Sequence, residues 1–182
     1  MPSPENLKKR KIAVLGARSV GKSSLIVQFV ENRFVENYYP TIQNTFAKTE
    51  YDCEVIDTAG QDEYSILNSK YAIGIHGYVL VYSVTSRSSF DMIQVLYDKI
   101  VDFCGVTEIP CVIVGSKVDL STRQVPAKDG EALAQTNNAV WVETSAKENI
   151  NVGKVFDLCL GEIEKHSPTK QGEPPANRCV IM

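Results

Sequence analysis

Lys11-Ile12-Ala13-Val14-Leu15 runs directly into Gly16-Ala17-Arg18-Ser19-Val20-Gly21-Lys22-Ser23, and Ser24-Leu25-Ile26-Val27-Gln28-Phe29-Val30 follows. A short apolar run reads as a buried strand, and a helix must begin at about Gly21. The loop between them fits G-x-x-x-x-G-K-[ST] in the setting that gives this pattern meaning, strand before and helix after. Its glycines let the chain wrap so that backbone N–H groups along Arg18, Ser19, Val20, Gly21, Lys22, Ser23 and Ser24 converge on phosphate oxygens, and the helix N-terminus adds its positive end. Lys22 then reaches the β- and γ-phosphates, while the Ser23 hydroxyl is a hard ligand suited to Mg²⁺. A bound nucleotide is expected from this segment. The reaction stays open, because kinases, ATPases and GTPases share the loop.

Outward from it, apolar runs alternate with segments of helical periodicity. Lys11–Leu15, Gly77–Val84, Cys111–Gly115 and Val140–Thr144 read as strands covered on both faces. Phe90, Ile93, Leu96, Tyr97, Ile100, Val101 and Cys104 trace one face of a helix that Ser88 or Ser89 would cap, and further helices are expected over Ala127–Thr136 and Val152–Lys165. The alternation predicts an α/β fold, a mostly parallel sheet with helices on both faces and one short antiparallel edge.

The 182 residues suit one domain, expected over 11–166, with a flexible N-terminus at 1–10 and a polar, proline-bearing tether from Ser167 to Arg178 within a flexible tail at 167–182. The basic run Lys8 to Lys11 reads as a solvated strand entrance. With 19 basic against 22 acidic side chains the net charge is −3, which disfavours nucleic acid as a partner. No run approaches the roughly 20 apolar residues of a membrane span, and no signal core follows the N-terminus, so a cytosolic-side protein is expected. Of the five cysteines, Cys53, Cys104, Cys111 and Cys159 lie in apolar contexts without metal spacing and read as core thiols.

Asp57-Thr58-Ala59-Gly60-Gln61 follows the alternating run Tyr51, Cys53, Val55. Asp57 at a strand's end can hold Mg²⁺ through water, Gly60 offers an unhindered N–H to a γ-phosphate, and Gln61 can orient attacking water. In Tyr38-Tyr39-Pro40-Thr41-Ile42, Thr41 can add a second hydroxyl to the metal and close the site, and a loop so held is released on hydrolysis. Ser116-Lys117-Val118-Asp119 and Thr144-Ser145-Ala146-Lys147 fall just past strand ends, where open parallel sheets bind ligands. Asp119 can accept from the N1–H and 2-amino groups of guanine, a pairing adenine cannot offer. Backbone N–H groups near Ala146 can receive O6, and the Lys117 stem can lie along the base. Together these predict phosphoryl transfer from GTP to water, giving GDP. Two other readings are a guanine-nucleotide interaction module with little or no hydrolysis, and a P-loop kinase or ATPase, which Asp119 and the lack of a lid domain disfavour.

These four motifs in this order resemble the Ras superfamily of small GTPases from about Lys11 to Lys165. Arg18-Ser19-Val20-Gly21-Lys22-Ser23-Ser24, Pro40-Thr41-Ile42-Gln43-Asn44-Thr45-Phe46 and Asp57 through Ser65 are similar more narrowly to the Rheb subfamily. The resemblance implies a monomeric switch that activates the TOR kinase complex when GTP-bound, with Thr41 and its neighbours as effector loop. It implies nucleotide contacts from Phe34, packed on the base, and from Val35, Tyr38, Pro40, Thr41, Gly60, Ser116, Lys117, Asp119, Ser145, Ala146 and Lys147; Tyr38 would also restrain Gln61.

Three departures stand out. Arg18 crowds Gln61 and an incoming arginine finger, so hydrolysis should be slow and an ordinary Ras-type activating protein poorly matched; the Rheb resemblance implies an activator of the tuberin type. Ser116 stands where the family usually has asparagine, and its hydroxyl cannot reach both the base N7 and the phosphate loop. The lost hydrogen bond is worth about 0.5–1.5 kcal/mol. Only ten residues, Ala47 to Ile56, separate Phe46 from Asp57, which predicts either a stubby hairpin turning near Lys48-Thr49-Glu50 or a missing edge.

The chain ends Cys179-Val180-Ile181-Met182, a C-a-a-X pattern that predicts farnesylation of Cys179 by farnesyltransferase. One prenyl chain without a second cysteine or a basic patch in the tail holds a membrane weakly. The expected location is the cytoplasmic side of endomembranes, the vacuole or lysosome, or the plasma membrane, with a cytosolic share.

Overall fold

The computed structural model describes residues 7–35, 44–48, 51–58 and 74–167. Along them run β1 (Lys8–Gly16), α1 (Lys22–Glu31), β2 (Asn44–Lys48), β3 (Tyr51–Asp57), β4 (Gly77–Ser83), α2 (Arg87–Cys104), β5 (Cys111–Ser116), α3 (Ala127–Thr136), β6 (Val140–Glu143) and α4 (Val152–His166). The strands form one sheet in the order β2-β3-β1-β4-β5-β6, with β2 antiparallel to β3 and all other neighbours parallel. The predicted fold class is the observed one.

Strand side chains alternate between two cores. Ile12, Val14, Val79, Val81, Val112 and Val114 face α1 and α4, meeting Leu25, Ile26, Val155, Phe156 and Ile163. Ala13, Leu15, Tyr78, Leu80, Tyr82 and Ile113 face α2 and α3, meeting Phe90, Ile93, Leu96, Ile100 and Ala134. Each fully buried Val, Leu or Ile contributes about 1.5–3 kcal/mol, so the central strands, covered on both faces, dominate the stability. At Gly77 a Cβ would lie 2.8 Å from Cys159 Sγ and from Ile163, so this glycine lets α4 sit close on the sheet.

The differences from expectation are local. β1 begins three residues early, because Lys8, Lys9 and Arg10 pair with Tyr51, Asp52 and Cys53 of β3; Arg10 and Lys8 then reach Glu164 of α4. α2 is capped by Ser86, whose Oγ accepts from Ser89 N–H, not by Ser88 or Ser89, which already lie within the helix. Cys53, Cys111 and Cys159 are buried as expected, but Cys104 is exposed in the last turn of α2, just before the Gly105 cap. The short hairpin forms its edge with five paired positions, from Asn44↔Val55 to Lys48↔Tyr51. The connecting residues Thr49 and Glu50 lie outside the described residues. No helix among the described residues is long and apolar enough to cross a membrane.

Candidate functional site

β1, β3, β5 and β6 run parallel, so Gly16, Asp57, Ser116 and Glu143 end at one edge of the sheet. β3 and β4 lie on opposite sides of β1, which makes the end of β1 the place where strand order reverses and a crevice opens.

The loop leaving β1 is fixed by its glycines. A Cβ on Gly16 would lie 2.1 Å from the backbone oxygen of Val81, so the loop can leave the sheet there only without a side chain. Gly21 is left-handed (φ 102) and is the N-cap of α1 with no side-chain cap, so the first-turn N–H groups of α1 have no side-chain acceptor there. Ser19 is also left-handed (φ 59). Lys22 is 6% exposed, and its ammonium donates to Gly16 O at 3.1 Å and Ala17 O at 2.7 Å. Burial pulls its pKa from 10.5 down to about 8, against the opposing attraction of Asp57.

Asp57 arrives from β3. Its Oδ2 accepts from the Ser23 hydroxyl at 2.5 Å, and its Oδ1 is buried without a partner among the described residues. Desolvation raises its pKa more than Ser23 and Lys22 lower it. Thr58, not singled out in the sequence, anchors this strand end by donating from Oγ1 to Val14 O at 2.8 Å. A hydroxyl and a carboxylate with a free buried oxygen form a hard donor set that fits Mg²⁺. Among the described residues no three His, Cys, Asp or Glu side chains converge as a metal cluster, so a cation here needs further oxygens, such as those of phosphates.

The other side of the crevice grips the same loop. Ser116 Oγ lies 2.5 Å from Val20 O and 2.9 Å from Tyr82 O, and Lys117 Nζ donates to Ser19 O at 2.6 Å. Of the two contacts that one hydroxyl could not make together, the structure keeps the one to the phosphate loop. Lys117 is itself left-handed (φ 65), which turns its side chain back over that loop. Asp119 Oδ1 accepts from Ser145 Oγ at 2.7 Å, and Ser145 Oγ accepts from Glu148 N–H at 3.1 Å. Ser145 and Ile150 bridge through both their backbone groups, closing the Ala146-Lys147-Glu148-Asn149 turn. Arg123 fixes the end of β6 with a two-pronged ion pair to Glu143, at 2.6 and 3.0 Å.

The structure thus ties Ser116 and Lys117 to Val20 and Ser19, Ser23 to Asp57, and Ser145 to Asp119, with Arg18, Gly21 and Lys22 on the same loop as Ser19 and Val20, all at or just past strand ends. Arg18 is exposed, and Phe34 is 39% exposed. Tyr38, Pro40, Thr41, Gly60, Gln61 and Cys179 lie outside the described residues.

Residues 11–165 match the Ras family. The chain is 56% identical to the GTP-binding protein rhb1 of Schizosaccharomyces pombe, over 96% of this chain and 98% of that protein. It is 51% identical to the small monomeric GTPase RhbA of Aspergillus fumigatus, over 98% and 100%. It is also 52% identical to the GTP-binding protein Rheb of Homo sapiens, over 96% and 98%.

Proposed function

The chain belongs to the Ras family as a Rheb-like small GTPase, a GTP-binding switch that hydrolyses GTP, and from that premise we propose how its residues divide the work. The observation that carries the reading is the meeting of Ser23 and Asp57 at the mouth of the phosphate loop, with Asp57 Oδ1 buried and unpartnered among the described residues.

In this reading Ser23, Thr41 and, through water, Asp57 hold Mg²⁺. The ion supplies charge neutralisation on the phosphates. The backbone N–H groups of residues 18–24 and Gly60 receive the phosphate oxygens, and Lys22 moves from the loop carbonyls to the β- and γ-phosphates. Gln61 orients water for in-line attack, and Tyr38 covers the γ-phosphate and restrains Gln61. Asp119, held by Ser145, takes the Watson–Crick edge of guanine; Ala146 N–H takes O6; Phe34, Val35, Pro40, Lys117 and Lys147 enclose base and ribose. Arg18, exposed on the loop, slows hydrolysis until a tuberin-type activating protein binds. The GTP-bound form activates the TOR kinase complex, as a monomer. A farnesyl group added to Cys179 by farnesyltransferase holds it reversibly on the cytoplasmic side of endomembranes or the plasma membrane, with part in the cytosol.

Binding of GTP, GDP and ATP with Mg²⁺, followed by single-turnover phosphate release, tests the core of this. Tight guanine-selective binding and slow release, accelerated about tenfold by Arg18→Gly, are expected. ATP binding as tight as GTP binding would refute the role given to Asp119, and a rate unmoved by Arg18→Gly would refute the crowding.

A further inference from the structure

Resting on the guanine-nucleotide reading above, we infer that Ser116 is committed to the phosphate loop and gives no hydrogen bond to N7 of the base, so that this chain does not read N7. A serine hydroxyl carries one proton. Ser116 Oγ lies within 2.5 Å of Val20 O and 2.9 Å of Tyr82 O, both acceptors, so that proton is shared between two backbone carbonyls. The side chain is almost wholly buried, and turning the hydroxyl toward a ligand would give up its hydrogen bonds to the phosphate loop and to β4.

The neighbouring donors do not replace it. The Ser145 hydroxyl is given to Asp119 Oδ1. The Lys117 ammonium sits over the loop at Ser19 O. The Gly115↔Glu143 register sets Ser116 beside Thr144, whose Oγ1 has no partner among the described residues but is buried and cannot face a ligand arriving from solvent. The two edges of a purine point apart. With Asp119 accepting from N1–H and the 2-amino group, N7 turns to the opposite side, toward the loop that Ser116 holds. An amide at this position has two protons and an acceptor oxygen, enough for loop and base together; a hydroxyl must drop one, and here it drops the base.

Guanine nucleotides lacking N7 as an acceptor should therefore bind unimpaired. The test is displacement of a fluorescent GDP from the full chain with Mg²⁺ by GDP and by 7-deaza-GDP. Affinities within threefold of each other are expected, and a larger loss for 7-deaza-GDP overturns the inference. Ser116→Ala should weaken both ligands by the same factor, because it loosens the loop; weakening of GDP alone would show the hydroxyl at N7 and overturn it. Ser116→Asn should create a preference for GDP over 7-deaza-GDP of at least fivefold, and its absence would overturn the placement of N7 beside residue 116. If GDP itself does not bind, the guanine-nucleotide reading falls, and this inference with it.

Discussion

Replacing Lys22 by methionine should change how the stability of the nucleotide-free protein depends on pH. Lys22 is only 6% exposed, so solvent does little to soften its burial. Its fall from 10.5 to about 8, at about 1.36 kcal/mol per pH unit, means that the charged form is held in the fold at a cost of about 3 kcal/mol. The folded-state pKa lies below the unfolded one. Between about pH 8 and 10.5 the unfolded chain therefore keeps a proton that the folded chain has released, and stability rises with pH across that window. Below pH 8 both states are protonated and Lys22 contributes no slope. In urea unfolding at pH 7.5 and 9.5, wild type should gain about 2 kcal/mol relative to Lys22→Met, while groups common to both proteins cancel. With GDP bound the difference should shrink, because phosphates beside the ammonium keep it charged. Profiles that run parallel within about 0.5 kcal/mol, the precision needed to see the effect, would refute the claim that burial governs this lysine.

Gly16→Ala places a Cβ 2.1 Å from Val81 O on the central strand pair, and a loss of about 3 kcal/mol or more is expected, seen as a lowered melting temperature or as insoluble protein. Asp57→Asn removes the carboxylate that meets Ser23, so GDP release should already be fast in Mg²⁺ and indifferent to EDTA, whereas EDTA should accelerate release from wild type; equal EDTA responses would contradict the assigned ion site. Cys179→Ser should move the protein from the membrane pellet to the supernatant on fractionation, and an unchanged distribution would contradict prenyl anchoring.

What was legible in the sequence was what single segments encode. The apolar runs gave β4 and β5 to within a residue, and α3 over Ala127–Thr136 emerged with the same bounds. Gly16, Gly21 and Lys22 announced the loop because its wrap depends on those residues alone. What depends on distant partners was not visible. Ser116 meets Val20 and Tyr82 only because β5 lies beyond β4 in the sheet, and Thr58 reaches Val14 only through the β3–β1 pairing. The cap of α2 was misplaced because four of the residues from Ser83 to Ser89 are serines with the same local chemistry, and only backbone geometry singles out Ser86. Cys104 keeps the helical spacing of its buried neighbours, yet it falls in the final turn, where helix periodicity no longer guarantees cover.

The hairpin of β2 and β3 fixes the two points from which the chain enters and leaves it. Asn44 pairs with Val55, two residues before Asp57, so the segments entering β2 and leaving β3 are rooted on neighbouring rungs. In an antiparallel pair, sliding one strand by two residues carries these roots about 7 Å past each other. A slide that sets Asn44 opposite Cys53 would abandon two of the five rungs, whereas one that sets it opposite Asp57 would keep five, because β3 runs on to Asp57. The number of residues joining β2 to β3 therefore sets which residues enter and leave the hairpin side by side, and lengthening or shortening that join would shift one root against the other.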